Sequence, residues 1–236
     1  MNALLCRVGA DTSPGGGGWN GPVNGATRKF VYVPIPESRS VHPGLERPYT
    51  SLNASLSAFG VELPGHLRLQ QMHLDPDFDH LTYGDVGERA KQLKANLSRG
   101  DVIVFYAGLR DTLQPGPLVY AIIGVFVVDE FVLAINISPE ARHQNAHSRR
   151  VIDPNNLDLI VRGRPLVSGR LDRCLPIGEF KDRAYRVRPD LVEAWGGLSV
   201  KDGYLQRSAR LPRFLNPRRF CNWLKEQHPV LVQANN

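Results

Sequence analysis

The chain of 236 residues has three cysteines, Cys6, Cys174 and Cys221, and no C-x-x-C spacing. An odd, scattered set excludes a disulfide framework and a cysteine-based zinc site. No apolar run approaches the ~20 residues of a membrane span. The opening MNALLCRVGADT has no basic start and too short an apolar stretch for a secretion signal. A cytoplasmic protein with no membrane partner is therefore expected. Internal repeats and heptads are missing as well. The run Gly15-Gly16-Gly17-Gly18 lacks the Gly-Lys-Ser/Thr ending of a phosphate loop and precedes no helix start, so it reads as a flexible loop. Ser168 follows Pro165-Leu166-Val167 and lies outside any nucleophile elbow, and no hydrolase triad emerges. Lysine is scarce beside arginine in a chain of net charge +6. Arginine suits planar recognition of phosphate and base edges, which points to nucleic acid or a nucleotide. A basic surface without a specific partner is the plainer alternative.

What is present suffices for a real core, with 42% hydrophobic residues in an ordinary globular composition. The segment Arg99–Asp129 is the richest. A turn, Arg99-Gly100-Asp101, feeds an apolar strand over Val102–Tyr106, and a second strand spans Leu118–Val128. A hairpin so rich in Val, Ile, Phe and Tyr is covered on both faces. Gly124 inside it marks a bulge or a close backbone approach. With Asp101 at its start, the hairpin suggests the wall of a small barrel with a groove at one end. Further strands are expected over Ala3–Val8, Phe30–Ile35, Leu67–Leu74, Phe131–Ile137 and Leu157–Val161. Asp85 and Glu88 form a capping-box variant for a helix carrying Ala90, Leu93 and Leu97. Short helices follow at Ser138-Pro139-Glu140 and over Pro189–Trp195. A last one is capped by Asn216, with Phe220, Trp223 and Leu224 on one face. The spacing predicts a mixed α/β (α+β) protein on a bent mixed sheet or partial barrel with flanking helices. Residues 1–185 form the core domain, and 186–236 a basic helical appendage packed on it.

Several islands carry polar chemistry. Asp75, Asp77 and Asp79 alternate as in a calcium loop, but His80 replaces the required glycine and Val86 the bidentate glutamate. His73 and His80 beside these carboxylates are a workable transition-metal set. A solvated acidic turn is the simpler reading, so no metal and no cofactor are expected, while His73 and Asp75 stay candidates for a pocket. Thr82-Tyr83-Gly84-Asp85 precedes a helix, where capping explains Asp85 and Tyr83 is open to stacking on a base. Asn145-Ala146-His147-Ser148-Arg149-Arg150 has no apolar anchor, so an unburied His147 is expected, kept neutral by its arginine neighbours and fit for general-base work. The C-terminal arginines Arg207, Arg210, Arg213, Arg218 and Arg219, interleaved with Phe214 and Trp223, suit contact with a polynucleotide backbone.

Taken in order, these islands resemble the third nucleotide-modification-associated domain family. The residues concerned are Arg7-Val8-Gly9-Ala10-Asp11-Thr12, Val33-Pro34-Ile35-Pro36, His73-Leu74-Asp75-Pro76-Asp77-Phe78, Thr82-Tyr83-Gly84-Asp85, Gly100–Leu109, Asn145-Ala146-His147 and Ser168-Gly169-Arg170-Leu171. The resemblance implies association with enzymes that modify bases in nucleic acid. Gly100-Asp101 leading into Phe105-Tyr106, then Ile123-Gly124, also resembles PUA, ASCH and EVE-type barrels, which implies a pocket for a modified or flipped nucleotide. No lysine here matches the one expected of an ASCH-type hydrolase. The expectation is a nucleotide- or nucleic-acid-binding protein of base modification, with Asp11, Thr12, Tyr83 and Tyr106 lining a pocket. Asn145 and His147 read or activate the base, and Arg149, Ser168 and Arg170 complete the binding set. The rival is an enzyme with His73, Asp75 and His147 as acid–base groups. A third reading is a basic interaction module without a pocket.

Overall fold

The computed structural model describes residues 1–151, 153, 155, 157–205 and 210–236. Its strands run β1 (Ala3–Arg7), β2 (Pro22–Val23), β3 (Ile35–Pro36), β4 (Met72–His73), β5 (Thr82–Asp85), β6 (Val102–Asp111), β7 (Val119–Leu133), β8 (Leu159–Gly163), β9 (Gly169–Pro176), β10 (Gly178–Lys181), β11 (Ala184–Val187) and β12 (Leu231–Val232). The helices are α1 (Asn53–Ser57), α2 (Gly87–Asn96), α3 (Ala146–Arg149), α4 (Pro189–Ala194) and α5 (Pro217–Glu226).

The main sheet runs β1-β6-β7-β8-β5, with β1 parallel to β6 and the other steps antiparallel. The hairpin β6–β7 is its spine, and period-two alternation explains its unbroken apolar run. Ile103, Phe105 and Ala107 enter one core beside Leu4 and Cys6. Val102, Val104 and Tyr106 enter a second core beside Ala3, Leu5 and Trp195. A sheet buried on both faces has no need of polar alternation. Gly124 is both a bulge and a close approach. The register slips beside it, and a Cβ there would lie 2.5 Å from the Phe78 ring.

The sheet does not close into a barrel. Strand β7 bends instead, pairing β9 through Ala121–Val125 and β8 through Val128–Leu133, so the sheet splits. The carboxylate of Asp101 does not open a groove. It accepts the backbone N–H groups of Asn2 at 2.6 Å and Ser98 at 2.9 Å, fixing the start of the chain.

Four expected elements differ. Phe30–Ile35 pairs only at its two ends, Phe30 with Val23 and Ile35 with His73, because Pro34 has no N–H and Tyr32 bonds elsewhere. Val31 bonds to Pro22, and Tyr32 to the side chain of Asn236. The expected strand Leu67–Leu74 is a 3-10 turn at Gly65–Leu67 followed by the two-residue β4, and its Leu67 and Met72 fill a third core with Tyr49 and Leu56. Helix α2 begins at Gly87, not at Asp85. Pairing of Asp85 with Leu159 holds that residue extended, and no side chain caps the helix. The strand expected over Phe131–Ile137 is the end of β7, then a 3-10 turn.

The C-terminal segment shares the core. Leu5 donates to Pro212, Phe214 donates to Ala3, and Leu191, Trp195 and Phe220 pack in the second core. Strand β12 pairs with β9, and beyond it Asn235 accepts from the Phe78 N–H and donates to Asp77. No helix among the described residues is long and apolar enough to cross a membrane.

All three cysteines are free. Burial pushes the thiols of Cys6 and Cys174 up to about 12, and only Cys221, on α5, is partly accessible. Because the thiolate is the reactive form, native protein at pH 8 is expected to take up no more than one equivalent of a thiol reagent, at Cys221. Intact-mass measurement checks this, with three equivalents expected after denaturation.

Candidate functional site

Two segments remote in sequence meet at one cavity of about 510 Å³. β4 brings His73, the turn after it brings Asp75, and α3 brings His147. Donor atoms of these three side chains lie within 4.8 Å of one another. The His73 and His147 rings meet edge to face with centroids 4.9 Å apart. Arg7, Gly9, Asp11, Tyr83 and Arg89 complete much of the lining.

Each member is held from behind. Asn145 opens α3: its Oδ1 accepts the His147 N–H at 2.8 Å, and its Nδ2 donates to Asp75 Oδ1 at 3.0 Å. The same Asp75 oxygen accepts the Gly84 N–H at 2.8 Å. His147 Nδ1 faces Asp158 Oδ2 at 2.6 Å, and His73 Nδ1 faces Glu37 Oε2 at 2.7 Å. Glu37 in turn accepts a two-pronged contact from Arg150, from Nη2 at 2.8 Å and Nε at 3.0 Å. The inner edges differ. His147 Nε2 is 3.6 Å from Asp75 Oδ2, too long for a hydrogen bond.

Electrostatics corrects the expectation for His147. The residue is 4% exposed rather than displayed on a loop. Burial pushes its pKa down, but the carboxylates of Asp158 and Asp75 outweigh burial and Arg150, holding it at about 9. Without a ligand it is an imidazolium at neutral pH, not a neutral base. Burial pulls His73 below its usual value despite the Glu37 hydrogen bond. Burial would raise Glu37, yet His73 and Arg150 bring it down to about 2. The acidic turn is solvated only in part, with Asp79 exposed. Asp77 is fully buried and pairs with Arg149, and Asp79 accepts the Asn235 N–H at 2.9 Å.

Of the residues read from sequence, His73, Asp75, His147, Asp11 and Tyr83 line the cavity. Asp11 accepts from Ser13 and pairs with Arg7 at 3.1 Å, and the glycine run folds back over it so that a Cβ on Gly16 would strike its carboxylate. Tyr83 packs edge-on against Phe105 and donates its hydroxyl to Asp85 at 2.6 Å, so its ring is not free to stack. Asn145 positions Asp75 and His147 rather than facing the cavity. Thr12 is exposed outside the lining. Tyr106 points into the second core. Arg149 is spent on Asp77 and the His143 carbonyl. Ser168 Oγ accepts the Val127 N–H, and Arg170 donates to the carbonyls of Ala234 and Leu171. Arg207 lies outside the described residues. Arg210 and Arg213 border a larger groove of about 1180 Å³ that contains none of the His–Asp cluster.

Sequence reasoning missed Glu37, Asp158, Arg150 and Gly84. Glu37 and Asp158 sit 36 and 11 residues from the histidines they hold, and no spacing rule links them. Gly84 lies in β5, a strand that the sequence reading does not predict, and its close approach to a neighbour shows only in the structure. A Cβ there would lie 2.2 Å from the His147 ring.

The family model described as nucleotide modification associated domain 3 matches residues 2–219. No curated protein and no solved structure matches the chain. The chain belongs to that family, and the family's description associates it with nucleotide modification.

Proposed function

We propose that this member of the family binds a nucleotide or an unstacked base in the His–Asp cavity and acts on it chemically. The observation that carries this reading is the convergence of His73, Asp75 and His147 within 4.8 Å on one cavity wall. Burying three such groups, each braced by further polar groups, costs stability that a plain core would not spend. A cavity of about 510 Å³ suits a ligand of nucleotide size. The cluster's chemistry is activation of water, or of an exocyclic oxygen or nitrogen, beside a bound base. Recognition without chemistry draws less support, since Tyr83 is engaged by Asp85 and Phe105. A stacked base cannot reach such a wall, so free nucleotides or single strands are preferred over duplex.

Calorimetric titration with mononucleotides, single-stranded and duplex oligonucleotides tests the binding. Wild type is expected to bind at least one single-stranded or free species more tightly than duplex. Ser38→Trp, at the exposed rim, is expected to weaken that binding ten-fold or more without lowering the melting temperature. Absence of binding across the panel overturns the reading. Nucleoside analysis of DNA and RNA from cells carrying wild type or Asp75→Asn tests the chemistry. One nucleoside is expected to differ between the two, and identical profiles count against catalysis.

A further inference from the structure

We propose that His73, Asp75 and His147 bind one divalent first-row transition-metal ion, leaving coordination positions open to the cavity. Two imidazoles and one carboxylate are a donor set such ions favour, and three protein ligands with open positions characterise catalytic rather than structural sites. The outer nitrogens carry the second observation. Glu37 on His73 Nδ1 and Asp158 on His147 Nδ1 leave both Nε2 atoms as the inner donors. Carboxylates behind metal-binding histidines orient the rings and raise their basicity.

His73 Nε2 has no hydrogen-bond or ion-pair partner among the described residues. Asp75 directs Oδ1 to Gly84 and Asn145, which frees Oδ2 to face His147 Nε2 at 3.6 Å. Bond lengths of ~2.0–2.2 Å put tetrahedral donors about 3.4 Å apart, close to that separation. Charge agrees. Glu37, Asp75 and Asp158 gather at the cluster against the guanidinium of Arg150, while the other arginines of the cavity, Arg7 and Arg89, are paired with Asp11 and Asp85.

The inference rests on reading this cavity as the reactive site, but its test needs no substrate. Protein stripped with a chelator is titrated with Co²⁺, read by visible absorption, and with Zn²⁺, read by calorimetry. One equivalent is expected to bind at micromolar concentration or tighter. Asp75→Asn is expected to abolish it, and Asp158→Asn to weaken it 10- to 100-fold, with circular dichroism unchanged in each. The neighbouring pair His80 and His143, with ring centroids 5.1 Å apart, is the internal control. Uptake by wild type that persists in Asp75→Asn and disappears in His80→Gln overturns the proposal, as does no stoichiometric uptake by wild type. If metal is absent but nucleotides bind, the metal assignment fails and the binding reading stands. Metal bound without nucleotide leaves the opposite result.

Discussion

Replacing Arg149 by methionine is expected to cost ~3–5 kcal/mol of stability, the penalty for leaving a buried carboxylate without its cation. Asp77 is fully buried, and its pKa is held below the usual range: burial opposes this, but His80, Arg149 and Asn235 outweigh it. Removing the guanidinium also strips the His143 carbonyl of its donor. Denaturant unfolding measures the loss. Pairing Arg149→Met with Asp77→Asn is expected to recover part of it, since no charge then remains buried. Affinity for polynucleotide is expected to stay unchanged wherever the single variant is folded, because Arg149 does not line the cavity. A variant that loses affinity but keeps full stability contradicts this role.

Gly84→Ala is expected to cost ~1–3 kcal/mol, as overpacking does in a filled interior, and to abolish function at the cavity. The added methyl would meet the His147 ring at 2.2 Å and Asn145 Oδ1 at 3.0 Å. Neither neighbour can yield cheaply. His147 is fixed by Asp158, and Asn145 is tied to Asp75, Thr82 and the His147 N–H. Moving either disturbs every member of the cluster at once. The measurement is a melting curve beside nucleotide titration of the same preparation, with at least a ten-fold loss of affinity expected in folded protein. Undiminished binding would show that the ring position does not matter.

These two positions mark where sequence reasoning stopped. Arg149 and Arg150 are adjacent and chemically identical, yet one stabilises the acidic turn and the other braces Glu37 behind His73. Composition and motif give both the same part. With no apolar neighbour to anchor it, His147 reads as exposed in the sequence. Its anchor is polar and distant: Asn145 beneath, Asp158 behind and Asp75 in front. That same change of surroundings reverses the direction of its pKa. The capping reading of Asp85 failed for a related reason, since a strand pairing absent from local sequence claimed the residue first.

The amino-acid order alone determined the long hairpin, the glycine bulge at Gly124, α2 and α5, the unpaired thiols, and the islands that mark the family. All of these follow from short-range periodicity, turn chemistry or residue count. Tertiary structure decided which polar residues gather and which are spent on holding the fold. It opened the sheet rather than closing it, buried Asp77 within the acidic turn, and set Glu37 and Asp158 behind the two histidines. Such placements arise from contacts between segments as far as 158 residues apart. Satisfying buried charge is a property of the packed whole, and no local pattern encodes it.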